Sequence, residues 1–148
     1  MKPLAKLLVA AAALVAGSVF AVTPAQEKAF VDAYRSAFVK KDGKALHALL
    51  YTVGADPMAI EMYQMMMAAD FGAKLTELRL AELTADDLRR LADSKAPDGR
   101  TMVMPLKPVR KLIVKTAQKS ADGSATSSSE SFVAEHAGRL VIPVPSAK

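Results

Sequence analysis

Five methionines stand within ten residues, Met58, Met62, Met65, Met66 and Met67, inside the run PMAIEMYQMMMAADF. Thioethers are soft ligands that suit Cu(I), and on a helix Met62 lies one turn from Met65 or Met66, near enough to chelate. The same side chains fill irregular apolar space and adapt to many shapes. Ordinary packing is the commoner use of a helical methionine stripe. Between the two stands a third chemistry: an adaptable methionine-lined groove that takes an apolar ligand or a partner helix.

Ionisable residues offer less. Asp70 ends the same apolar run. If buried, its pKa would rise and it could act as a base in an apolar site, but a solvent-facing helix end beside Gly72 is the commoner setting for an aspartate. His47 stands beside Leu46 and Leu50 and could pair with Asp32 or Asp42 as a general base. A surface or half-buried helix histidine is again commoner. His136 falls in a turn and is expected to be exposed. Asp86 and Asp87 are adjacent, about 100° apart on a helix, so they read as dipole partners of a first turn rather than a proton-sharing pair. There is no nucleophile elbow, phosphate loop or dinucleotide fingerprint. The chain has no cysteine, which removes thiolate chemistry, disulfides and the usual structural zinc sites. No cofactor and no metal are expected.

The elements that must position these residues begin after a leader. Lys2 and Lys6, the apolar run Leu7 to Val15, the break at Gly17-Ser18 and the segment Val19-Phe20-Ala21 read as a signal peptide over residues 1–21, cleaved after Ala21. The run is shorter than the 20 or so apolar residues of a spanning helix. No cysteine follows it, so a lipid anchor is excluded, and no membrane attachment is expected after cleavage. Residues 22–148 then form a single domain in the periplasm or the medium. Without Lys2 and Lys6 the formal charge of +5 falls to +3. The remaining excess is scattered, and nucleic-acid binding is not expected.

Thr23, Pro24 and Gln26 predict the capped start of a first helix with Phe30, Tyr34, Ala37 and Phe38 on its apolar face. Asp42-Gly43 is expected to stop it, with Asp42 capping a second helix that carries Leu46, Leu49, Leu50 and Tyr51. Asp56-Pro57 opens a third helix to about Phe71, apolar almost all round and therefore well buried or lining a cavity or interface. Lys74 to Leu83 is read as extended. Thr84 caps a short helix with Leu88, Leu91 and Ala92 on its buried side. Strands follow at 109–117, 125–135 and 140–144, joined by turns at 120–123 and 136–139. Pro143 and Pro145 place the last strand at an edge or end it. The class is α+β, with N-terminal helices packed on an antiparallel sheet of three to four strands.

The helix AFVDAYRSAFVKKDGKALHALL, followed later by long antiparallel strands closing on EHAGRLVI, resembles the nuclear-transport-factor-2-like superfamily. The resemblance covers about residues 23–144. It implies a curved sheet wrapping the helices into a cone whose mouth holds a small apolar ligand. The family includes isomerases, dehydratases, epoxide hydrolases and exported members with no assigned activity. No catalytic residue matches. The long apolar third helix and the short helix after it depart from the family's usual pattern.

The reading that needs no special constellation is a non-enzymatic exported domain. It would bind an apolar small molecule or a partner protein through Tyr34, Met62, Tyr63, Met66 and Asp70. An isomerase- or hydrolase-type enzyme using Asp70 or His47, a Cu(I) binder and a homodimer stay open beside it. The exported protein is expected to begin at Val22; an intact mass that retains residues 1–21 would contradict the leader.

Overall fold

The computed structural model describes residues 21–148. The expected leader, but for Ala21, lies outside the described residues. The class is α+β: four helices and a mostly antiparallel sheet of five strands, in the order β1-β6-β5-β4-β2.

Helix α1 (Pro24–Val39) starts where its sequence demands. The Thr23 hydroxyl accepts the Gln26 N–H at 3.2 Å, and the Gln26 side chain accepts the Thr23 N–H at 2.9 Å. Both halves of the capping box are therefore present. The helix buries Phe30, Tyr34, Ala37 and Phe38. Tyr34 stacks on Phe38, and Phe38 meets Phe71 edge-on with ring centres 5.7 Å apart.

Asp42-Gly43 is the expected stop of this helix. Lys41 ends it instead, at φ +54°. Asp42 accepts the Ala45 N–H at 3.0 Å and caps α2 (Gly43–His47), so Gly43 is the first residue of that helix. Five residues are too few to stand alone as a helix. Leu46, with no exposed surface, pins α2 to the core.

Leu50 and Tyr51 do not continue α2. They form β1 (Leu50–Tyr51), which lies parallel to β6 (Arg139–Pro143) with Leu50 opposite Ile142 and Tyr51 opposite Pro143. The Ile142 N–H donates to the Leu49 carbonyl at 2.8 Å, and the Val144 N–H to the Tyr51 carbonyl at 2.9 Å. β6 is thus an interior strand rather than an edge, and its prolines do the other thing expected of them: the strand ends at Pro143. Pro143 has no N–H to donate, and the ladder with β5 (Gly123–His136) ends just before it, at Ala134 opposite Val141.

Helix α3 (Pro57–Ala68) is capped by Asp56, whose carboxylate accepts the Met58 N–H at 2.8 Å. β2 (Lys74–Ala81) is the strand expected there and pairs with β4 (Arg110–Ser120). α4 (Ala85–Ala92) lies between them in sequence. A further pair, β3 (Met102–Val103) with β7 (Ser146–Ala147), forms a small second sheet. The expected meander β4-β5-β6 is present, but β1 and β2 extend it, so the expected three to four antiparallel strands become five with one parallel pair.

Residues opposite one another in an antiparallel pair share a face. Leu78 faces Val114 and Leu80 faces Leu112, on the side where α1 packs against β2 and β6. Leu46, Leu112, Val133, Ile142 and Val144 form the driest part of that core. Leu46→Ala is expected to cost about 2–5 kcal/mol in urea unfolding, the range for a buried leucine truncation; a cost well under 1 kcal/mol would show that α2 is held otherwise.

Candidate functional site

The apolar third helix is not buried. Of its residues only Met67 is. Met58 is 79% exposed, Met62 48%, Met65 67% and Met66 53%. Positions 58, 62 and 66 repeat at helical spacing and therefore form one stripe. An open groove of about 260 Å³ runs beside that stripe, lined by Met58, Ala59 and Met62 from α3 and by Pro97, Met102 and Ala147 from across the chain. Its walls are almost wholly apolar. Its charged rim is self-satisfied: Arg100 Nε donates to Asp98 at 2.6 Å, and Asp56 caps α3. A second cleft of about 180 Å³ shares Met102 and adds Tyr63, Met104 and Phe132. Burial raises the Tyr63 phenol pKa above its ordinary value.

Met62 and Tyr63 thus border these depressions, while Met66 lies on the exposed stripe beside them. Tyr34 belongs to the core at 4% exposure. Its phenol is pushed up to about 12, first by burial and then by the Asp70 carboxylate. Asp70 is half-buried within the turn that follows α3. His47 has a buried Nε2 with no hydrogen-bond partner. Its suggested partners are engaged elsewhere: Asp42 caps α2, and Asp32 pairs with Lys28 on the surface. Among the described residues no group of three or more His, Cys, Asp or Glu side chains could hold a metal ion. No described helix is long and apolar enough to cross a membrane.

Met102 and Met104 were missed in sequence. Their signal is the spacing: alternate residues of an extended segment share a face, and both side chains line the second cleft. All seven methionines after Met1 lie on α3 or in this segment.

The other surprise is Asp87, the one buried carboxylate among the described residues. It is the third residue of α4, so it completes a capping box with Thr84, accepting the Thr84 N–H at 2.8 Å and hydroxyl at 2.9 Å. It also pairs with Arg90 and with Lys111 of β4, the latter at 3.2 Å. Leu88, expected on the buried side of α4, is 54% exposed; α4 is anchored through its carboxylate instead. The Thr84 backbone hydrogen bond above all, then the Thr84 hydroxyl, Lys111 and Arg90, hold Asp87 well below the usual carboxylate range against the opposing effect of desolvation. A carboxylate so engaged is a fastener between helix and sheet, not a proton carrier.

No family model, curated protein or solved structure matches the chain.

Two titrations check these assignments. A carboxylate with a depressed folded pKa stabilises the fold above its ordinary value of 3.8 and ceases to as pH falls below it. Asp87→Asn is therefore expected to be less stable than the native chain near neutrality and to lose part of its own acid sensitivity below pH 3.8. At the other end, a phenol raised to about 12 from 10.0 stabilises the fold below pH 10 and ceases to as pH rises through 12. An ultraviolet phenolate titration should show one tyrosine near 12, and Tyr34→Phe should abolish that step.

Proposed function

We propose that the chain is a small exported binding domain without catalysis, holding an apolar small molecule or an apolar segment of a partner protein on the methionine stripe of α3 and the groove beside it. One observation carries this reading. Met58 and Met62 from α3 and Met102 from some forty residues later converge on one apolar groove whose rim charges are already paired. Soluble proteins seldom leave adjoining large apolar side chains exposed without a use for them, and methionine suits a surface that must adapt to its ligand. The groove, at about 260 Å³, lies just below the range for small-molecule pockets, about 300–1,000 Å³. The exposed stripe continues beyond it to Met66, which favours an extended apolar segment, such as one face of an amphipathic helix, over a compact molecule. Met58, Met62, Tyr63, Met66 and Met102 are the residues assigned to contact.

Likeness to the nuclear-transport-factor-2-like superfamily remains part of the proposal. It draws on the amphipathic α1, the packing of α1 on one sheet face and the closing meander. A curved sheet coned around the helices, with its mouth open to the ligand, would be the corresponding architecture. An isomerase- or hydrolase-type enzyme draws on one observation, the nearness of Asp70 to the Tyr34 phenol. Export to the periplasm or the medium follows the leader-like start of the chain.

Native mass spectrometry of protein purified from cells without chelating resin tests the proposal. A retained apolar mass or a co-purified partner is expected, and retained copper would favour Cu(I) binding instead. Met62→Glu and Met102→Glu each place a charge in the apolar groove. Each is expected to weaken binding of the retained ligand, or of an apolar fluorescent reporter, by about tenfold or more, roughly 1.4 kcal/mol. Stability should change by about 0.5 kcal/mol or less in Met62→Glu, as for other exposed positions. Unchanged binding in both variants would sink the proposal.

A further inference from the structure

We propose that Met58 and Met62 are a reversible oxidation site, and that their conversion to sulfoxides by a peroxide closes the groove beside α3 to its apolar occupant. The closure rests on the binding reading above; the oxidation stands on the chemistry and exposure of the side chains. The chain has no cysteine and no tryptophan. Its thioethers are therefore the softest electron-rich groups that an oxidant meets, and no thiol takes the oxidant first.

Exposure then ranks the methionines. Four of the seven exposed large apolar side chains among the described residues are Met58, Met62, Met65 and Met66. At about 100° per residue these four fall within about a third of the circumference of α3, and Met67 stands opposite Met58, against the core. Met102 and Met104 are half-buried. Peroxide in solution therefore reaches the groove face of α3 first, with Met58 the most open of all. That order belongs to the fold and not to the run of residues, in which Met65, Met66 and Met67 stand side by side.

The step is an oxygen transfer. A sulfur lone pair attacks one oxygen of hydrogen peroxide and the O–O bond breaks. The departing hydroxide takes the proton of the transferred oxygen and leaves as water. One S–O bond has formed; the thioether has lost two electrons and the peroxide has gained them. Reversal needs a dithiol, which carries the oxygen off as water and becomes a disulfide.

The effect on the groove is selective. Its walls are almost wholly apolar. While it is empty, water hydrates a sulfoxide oxygen at Met58 or Met62, and the fold is unaffected. An apolar occupant would strip that water and leave the oxygen unpaired, which disfavours the bound state alone. A sulfoxide at buried Met67 would instead fall in the core and weaken the fold itself.

Graded hydrogen peroxide on the full chain tests this. Fragment mass spectrometry places each added oxygen, and the apolar dye anilinonaphthalene sulfonate reads the groove. Met58, Met62, Met65 and Met66 are expected to gain oxygen well before Met67, with the melting temperature unchanged. Dye affinity should fall by about tenfold or more over the same doses. Methionine sulfoxide reductases for both sulfoxide epimers, with dithiothreitol, should restore it. In the triple variant Met58→Leu, Met62→Leu and Met102→Leu, dye affinity should not respond to peroxide, whatever its starting value. If that variant fails to fold or binds no dye, restoration by the reductases decides. Oxidation of Met67 together with its neighbours, a dye affinity unchanged once Met58 and Met62 are fully oxidised, or a loss that the reductases cannot reverse would each overturn the proposal and leave the binding reading standing. A native chain whose dye affinity is indifferent to both Met62→Glu and Met102→Glu would overturn that reading, and the closure with it, before any peroxide is added.

Discussion

Ile142 gives its N–H to Leu49, and Val144 gives its N–H to Tyr51. Those two bonds fasten the helical N-terminal part of the chain to the sheet made by its end. Pro143 between them sets the arrangement. On one side of β6 it leaves nothing to donate, so the ladder with β5 stops at Val141. On the other side the donors of residues 142 and 144 are free for β1, which is only two residues long. Around this junction lie Leu46, Leu50, Leu140 and Ile142, all buried. The short α2 and the β1 that follows it are therefore products of tertiary pairing, since neither is long enough to persist alone.

The same economy of contacts explains the exposed methionines. α1 lies over β2 and β6 and closes the core there. α3 meets the rest of the molecule through Met67, with Ala59, Ile60 and Tyr63 packed against the core from partly exposed positions. A helix so rich in apolar side chains has more of them than one buried face can take, and the surplus becomes the stripe. α4 shows the opposite solution. Few of its apolar groups are covered, and a single carboxylate, its oxygens accepting from Thr84, Arg90 and Lys111, holds it against β4.

Helix starts were legible because a cap is a local device. Thr23, Asp42, Asp56 and Thr84 each act within three residues of themselves, and each caps as its neighbours imply. The meander was legible because period-two patterning and turn residues are local too. β1 was not. Two residues carry no period, and Leu50 and Tyr51 fit the helical spacing of Leu46 equally well. The burial of Asp87 was hidden for a related reason: its partner Lys111 lies 24 residues away, and only the Thr84 half of its environment is written nearby. At the candidate groove the methionine cluster was plain, but which of its faces would be uncovered, and that Met102 would join it, depended on where the segment after α4 returns.

Leu50 lies opposite Ile142, a separation of ninety-two residues. Closing so long a loop carries an entropic cost that nearer contacts must already have offset, which places β1–β6 pairing late in folding. A chain emerging from the ribosome can form α1 and the β4–β5 hairpin early, yet it has no way to complete the N-terminal half until residues 139–144 have been made. The N-terminal half is thus locked by a strand made ninety-two residues later, and a nascent chain stays unlocked until that strand has emerged.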